Sequence, residues 1–169
     1  MKINLRLDVR LSDAKNIIMW LENKDVTKYL NEDPNSASSL EEIINSGRAD
    51  LLTYYLNRDA RFFLIDTHEE KCVGFITLAK KAIKDYEIII AIGSPNNWGK
   101  KIAYHSILVI LNEVFFKWRI NKLISKVHID NIRSINLFKH LGFKETIIKN
   151  NHIIFAITFD EFLSYLKNN

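Results

Sequence analysis

Two stretches of the chain hold residue types that could do chemistry. The first, Glu87 to Tyr104 (EIIIAIGSPNNWGKKIAY), passes from a strand-like apolar run through a Pro95 turn into a long helical pattern. A strand-loop-helix of this kind can hold an anion, because the first N–H groups of a helix lack partners inside it and lie at the positive end of its dipole. Gly99 permits close backbone approach, and Lys100 and Lys101 add positive charge. The same residues also read as a plain helix start after a tight turn, with two solvated lysines. No G-x-G-x-x-G or G-x-x-x-x-G-K-[ST] pattern occurs, which speaks against dinucleotide and P-loop nucleotide sites.

The second stretch is Asp130 to Glu145 (DNIRSINLFKHLGFKE), where Asn131, Ser134 and Phe138 fall at i, i+3 and i+7 on one helix face. It makes that face semi-polar. Alone, it reads equally as a capped helix with Ile135, Phe138 and Leu141 in the core. His68, His105, His128, His140 and His152 form no metal-binding spacing, so no metal is expected.

The elements that must position these stretches follow from periodicity. Ile3, Leu5, Leu7 and Val9 alternate with polar residues, predicting an opening strand through Arg10. Ser12 or Asp13 is placed to cap a helix running to Leu21, and further helical stretches are expected around Val26 to Leu30 and Ser39 to Tyr55. Asn31 to Ser39, with Pro34, reads as a loop of the kind that shapes a pocket. Strands are predicted at Arg61–Asp66, Cys72–Leu78 and Tyr86–Ile92, then a helix over Gly99–Trp118 and a strand at Lys122–His128. A helix over Asn131–Leu141, ended by Gly142, leads to a hairpin of Phe143–Lys149 and His152–Phe159 about Asn150-Asn151, and a short tail helix follows Asp160.

At 169 residues, nearly half of them apolar, the chain is the size of a single domain, taken as 1–169. The net charge of +4 tolerates an anionic ligand but forms no nucleic-acid-binding tract. Cys72 is the only cysteine, so an internal disulfide is excluded and a reducing compartment is expected. No export signal or membrane-spanning run is evident, and the expectation is a cytoplasmic protein without a membrane partner.

Taken together, Tyr86-Glu87-Ile88-Ile89, Pro95, Trp98-Gly99-Lys100-Lys101-Ile102-Ala103 and the helix with Asn131, Ser134, Leu137, Leu141, Gly142 and Phe143 resemble one superfamily. It is the GCN5-related N-acetyltransferase (GNAT) superfamily, in its branch of ribosomal-protein N-terminal and spermidine N-acetyltransferases. Leu11, Asp13-Ala14, Trp20-Leu21, Val26 and Tyr29-Leu30 are similar as well, so the likeness covers nearly the whole chain.

The resemblance implies an α/β fold of the α+β kind: a mixed, mostly antiparallel sheet of about seven strands with helices on both faces. It implies acetyl-CoA as cosubstrate, its pantetheine against Ala91, Ile92 and Gly93, and its pyrophosphate on Trp98, Gly99, Lys100, Lys101, Ile102, Ala103 and Tyr104. Asn131 and Phe138 would meet the cofactor from the second helix. Lys101 stands where the family has a second glycine or small residue, and Phe138 where many relatives have a tyrosine that protonates the leaving thiolate. Since a thiol has a pKa near ~8.5, that acid is dispensable near neutrality, and Tyr104 or Ser134 is a candidate replacement.

An amine acceptor has a pKa near ~10 and must lose a proton before it attacks. Glu87 is the candidate base, with His128 a rival, and both also read as structural residues. The acceptor would enter between the early helices and the sheet. It would be a small-molecule amine or a peptide N-terminus: a protein N-terminus, polyamine, aminoglycoside or amino sugar. The acidic side chains Glu22, Asp25, Glu32, Asp33, Glu41 and Glu42 favour a cation. Transfer would be direct, in a ternary complex, and a homodimer is expected. The rival reading is an acyl-CoA-binding module without catalysis.

Overall fold

In the computed structural model the described residues are 1–31, 33 and 35–168. The turn assigned to Pro34 and the charge of Glu32 lie outside them. Seven strands and seven α-helices form among the described residues, in the order β1 (Ile3–Arg6), α1 (Leu11–Glu22), α2 (Lys24–Thr27), α3 (Ser36–Asn45), α4 (Leu52–Asn57), β2 (Ala60–Thr67), β3 (Gly74–Ala82) and β4 (Asp85–Ile92). The chain continues with α5 (Ile102–Asn112), β5 (Lys122–His128), α6 (Ile132–His140), β6 (Lys144–Lys149), β7 (His152–Thr158) and α7 (Phe159–Asn168). The strands are hydrogen-bonded in the order β1-β2-β3-β4-β5-β7-β6. β1–β2, β5–β7 and β6–β7 are antiparallel, and β4–β5 is parallel, so the sheet is mixed.

The chain divides into two compact units. The first, Met1–Leu78 with Ile89–Ser106, is built on α1. Ala14, Ile17 and Trp20 recur at helical spacing on its buried face and pack with Leu40, Leu52, Phe62, Phe75 and Ala91. Burying each large apolar side chain contributes about 1.5–3 kcal/mol. α1 starts at Leu11, earlier than expected: Asp13 lies inside its first turn, and its carboxylate accepts from the Arg10 N–H at 2.9 Å.

The opening strand ends at Arg6, not Arg10. Arg6 turns its guanidinium to Asp13 and Asp66, and the Val9 N–H donates to Thr53 Oγ1 at 2.8 Å, leaving no ladder to extend. The stretch expected as one helix over Ser39–Tyr55 is broken at Gly47 (φ +75°) into α3, a 3₁₀ turn at Ala49–Leu51, and α4. α3 begins at Ser36, inside the expected loop.

The second unit comprises Ala79–Ile88 and Ile107–Asn169. β5 has the expected limits, and its alternation buries Leu123, Ser125 and Val127. Asn150 and Asn151 both take left-handed φ (49° and 58°), as a two-residue hairpin turn requires. The core is aromatic: Phe138 lies 5.0 Å from Phe143 and 6.2 Å from Phe155, and Phe115 stacks on Phe162 at 5.6 Å. β6 is the sheet's edge strand and is exposed throughout, including Ile147 and Ile148.

Candidate active site

The stretch expected to hold an anion is fixed by packing before it reaches its helix. Gly93 donates its N–H to the Val73 carbonyl at 2.9 Å, and the Trp20 ring covers its Cα so closely that a Cβ would lie 1.9 Å from a ring carbon. No other residue fits there without displacing Trp20. Ser94 then caps the turn Pro95–Asn97, and the Trp98 indole N–H donates to the Ile92 carbonyl at 2.9 Å, folding the loop back on its strand. Asn97 is buried. Its amide donates to Glu70 Oε2 at 3.0 Å, and its carbonyl accepts from Lys100 Nζ at 2.9 Å. Lys100 is thereby held to the loop by a contact that the sequence pattern did not reveal.

Gly99 has φ +80° and Lys101 φ +61°, with residues of ordinary negative φ around them. Alternating the sign of φ turns successive N–H groups toward one side, the concave arrangement that binds anions. The helix expected from Gly99 therefore starts at Ile102, and its first bond runs from the His105 N–H to the Lys101 carbonyl at 3.1 Å. The left-handed φ explains why a glycine would be the natural occupant of position 101; a lysine there costs on the order of 1 kcal/mol. The Lys101 side chain is exposed, as are Gly99 and Lys100. Ala103 and Tyr104 are half-buried on the first turn, with the Tyr104 ring edge-on to His105 at 5.2 Å. Burial, then nearby positive charge including Lys101, holds His105 below its ordinary pKa, so it stays neutral at the start of α5.

The first unit also has a pocket of ≈ 250 Å³ with Ile17, Leu21, Phe62, Phe75, Asp33 and the ion-paired Arg58 and Asp59 among its lining residues. Of the acidic residues expected to favour a cation, Asp33 is the one among the described residues that lines it. Cys72 is buried under α1, and burial first, then the Asp13 charge, pushes its thiol up to about 12. A thiol so held is inert as a nucleophile.

In the second unit Glu87 occupies the last paired position of the β4–β5 ladder, which covers Asp85–Glu87 against Lys122–Ile124. Its carboxylate is buried, 6% exposed, and Oε2 accepts from Lys81 Nζ at 2.7 Å. Sequence reading overlooked Lys81. It left residues 79–85 unassigned because the two-residue turn Ile83–Lys84 has no Gly or Asn signal; Lys84 itself takes φ +61°.

Asn131 is the N-cap of α6, and its side-chain oxygen accepts from the Ser134 N–H at 3.2 Å. Ser134 is half-buried one turn on. Phe138 is 2% exposed, within the ring cluster of Phe143 and Phe155. The rival base, His128, is tied into the β5–α6 turn: Nδ1 accepts from the Asp130 N–H at 3.2 Å, and the ring meets His152 edge-on at 5.2 Å. Among the described residues no group of three or more His, Cys, Asp or Glu side chains is placed to hold a metal ion, and no helix is long and apolar enough to cross a membrane.

Residues 3–144 match the family model for the acetyltransferase (GNAT) domain, so the chain belongs to the GNAT acetyltransferase family. Among curated proteins, it is 33% identical over 102 residues to an uncharacterized protein of Methanocaldococcus jannaschii; the match takes in 56% of this chain and only 20% of that protein's length. A crystal structure of a domain from the same organism superposes with a TM-score of 0.72 at 24% identity, covering 94% of this chain and 99% of that one. The spermidine N-acetyltransferase of Vibrio cholerae, solved with CoA and spermine, gives a TM-score of 0.74 at 22% identity, covering 95% and 98%. At these identities the structural likeness establishes the fold.

Proposed function

We propose that residues 1–169 act as a single GNAT N-acetyltransferase domain that moves an acetyl group from acetyl-CoA to a primary amine. The observation that carries this reading is the alternation of φ at Gly99 and Lys101 immediately before α5, which supports a pyrophosphate site on the backbone of Trp98 to Tyr104. Ala91, Ile92 and Gly93 offer strand backbone for the pantetheine amides. Asn131 would bind the cofactor from the start of α6, with Phe138 as apolar support beneath that helix.

Acetyl-CoA supplies the thioester. Glu87 takes the proton from the acceptor's ammonium, directly or through water, and the neutral nitrogen attacks the thioester carbonyl. The C–S bond breaks as the attacking nitrogen gives up its second proton, and CoA leaves as a thiolate that takes up this proton through Tyr104, Ser134 or water. No acetyl-enzyme is needed.

The acceptor class favoured here is a cationic alkylamine such as a polyamine. Asp33 in the lining of the ≈ 250 Å³ pocket supports it, as does the activity named for the Vibrio cholerae fold relative. A homodimer completes the reading: edge strand β6, with Ile147 and Ile148 in solvent, is a surface suited to self-association. A cytoplasmic location fits the buried, unpaired Cys72.

CoA release from acetyl-CoA by the purified protein tests this. Spermidine, an aminoglycoside, an amino sugar and N-terminal peptides would be compared, with protein-only controls. Release dependent on one amine is expected. Acetyl-CoA binding without release for any amine would turn the reading to an acyl-CoA-binding module, which Phe138, buried and lacking a hydroxyl, favours.

A further inference from the structure

Of the two lysines in the Gly99 loop, Lys100 is held by a chain of side chains that reaches back to β2. Its Nζ donates to Asn97 Oδ1 at 2.9 Å, and Asn97 Nδ2 donates to Glu70 Oε2 at 3.0 Å. Asn97 is 7% exposed, while Glu70 and Lys100 are exposed. Glu70 is anchored in turn by Thr67, the last residue of β2: the Glu70 N–H donates to Thr67 Oγ1 at 2.9 Å, and the Glu70 carbonyl accepts from the Thr67 N–H at 2.8 Å. One orientation of the Asn97 amide serves both partners, because a carboxylate only accepts and an ammonium only donates. We infer that Asn97 is a positioning residue for the anion site: it holds the Lys100 ammonium at the loop, ready for a phosphate of the cosubstrate. This rests on the proposed pyrophosphate site at Trp98 to Tyr104.

The physical case lies in what stands between the two charges. A direct Glu70–Lys100 ion pair would neutralise the ammonium that an anion needs. The amide holds the same ammonium with a neutral oxygen and leaves its charge to act on a ligand. An ammonium has three donors, and Asn97 occupies one, so two are left for phosphate oxygens. A lysine ordered in advance also loses less rotamer freedom when the anion arrives. On either side of Lys100, Gly99 and Lys101, with φ of +80° and +61°, turn backbone N–H groups to the same purpose. Asn97 therefore acts through Lys100, and the β2–β3 turn that carries Glu70 becomes part of the support of the site.

A double-mutant cycle over Asn97→Ala and Lys100→Met tests this, with CoA and inorganic pyrophosphate titrated by calorimetry at one ionic strength. Asn97→Ala should weaken CoA binding on the order of three- to tenfold, Lys100→Met on the order of tenfold, and the double variant no more than Lys100→Met alone. With an amine that is acetylated, Asn97→Ala should raise KM for acetyl-CoA by the same factor while kcat stays within about twofold. KM for S-acetylpantetheine, which carries no phosphate, should not move. The substitution orphans no buried group, since both side-chain partners of Asn97 are exposed, and Asn97→Leu gives the same comparison if the alanine variant folds poorly. Independent losses from the two substitutions, or an equal loss with S-acetylpantetheine, overturn the inference. The pyrophosphate arm separates it from the acetyltransferase reading. Non-additive weakening of pyrophosphate binding in a protein that binds no CoA would uphold the role of Asn97 and remove that reading, and binding of neither by the parent removes both.

Discussion

Two buried acidic sites of this chain are built in opposite ways. In the first unit Asp13 and Asp66 share the Arg6 guanidinium, at 2.8 and 3.2 Å, and each also accepts a backbone N–H, from Arg10 and Cys72. All three side chains are largely buried, and they tie β1, α1 and β2 together. In the second unit the Glu87 carboxylate pairs with the half-exposed Lys81. A fork-shaped, permanently charged guanidinium with backbone donors behind it makes a fixture, whereas a single point charge on a flexible stem makes a contact that can be exchanged. The first site serves structure; the second is the one proposed for chemistry.

The largest expected effect comes from breaking the fixture. Arg6→Met leaves buried Asp13 without its cation and buried Asp66 with only the exposed Lys71 at 3.6 Å, and should lower unfolding free energy by about 3–5 kcal/mol, read by urea denaturation. A loss under 1 kcal/mol would erase the contrast between the two sites. At the other site Glu87→Gln should reduce kcat by about 100-fold with little change in midpoint. Loss of fold instead of activity would make Glu87 a second fixture.

Acid offers a third comparison. Burial alone would raise Asp13 and Asp66, but hydrogen bonds and charge from Arg6, with the backbone donors, hold both below the ordinary carboxylate value. A depressed folded pKa contributes stability that is fully present above the unfolded value and is lost as pH falls through the folded one. Unfolding should therefore set in below about pH 4, and Arg6→Met should flatten that dependence. The smallest effect should be that of Lys81→Arg on stability, about 1 kcal/mol or less, since it keeps a cation beside Glu87 on a side chain that is half in water.

The two sites were also unequally legible. Glu87 was readable because it sits in a strand run that leads to the Gly99 loop, and Asn131 because a polar residue before a helical pattern is a cap. Lys81 was invisible, since the hairpin that delivers it turns on Ile83–Lys84 with no residue that favours left-handed φ. The Arg6 cluster was hidden for a related reason: residue 66 is far in sequence from 6 and 13, and alternation through Arg10 made Arg6 look like one more solvent-facing strand residue.

What the sequence determined by itself is whatever depends on neighbours along the chain. The period of β5, the Asn150-Asn151 turn, the capped start of α6 and the strand-loop-helix around Gly99 all follow from local sterics and side-chain spacing. What only the tertiary structure decided depends on residues brought together from a distance. The Trp20 ring leaves room for nothing but glycine at 93, Asn97 holds Lys100 against the loop, and β7 lies between β5 and β6. Even the left-handed turn at Lys101 belongs to this group, because lysine does not choose that conformation for itself and the surrounding fold must impose it.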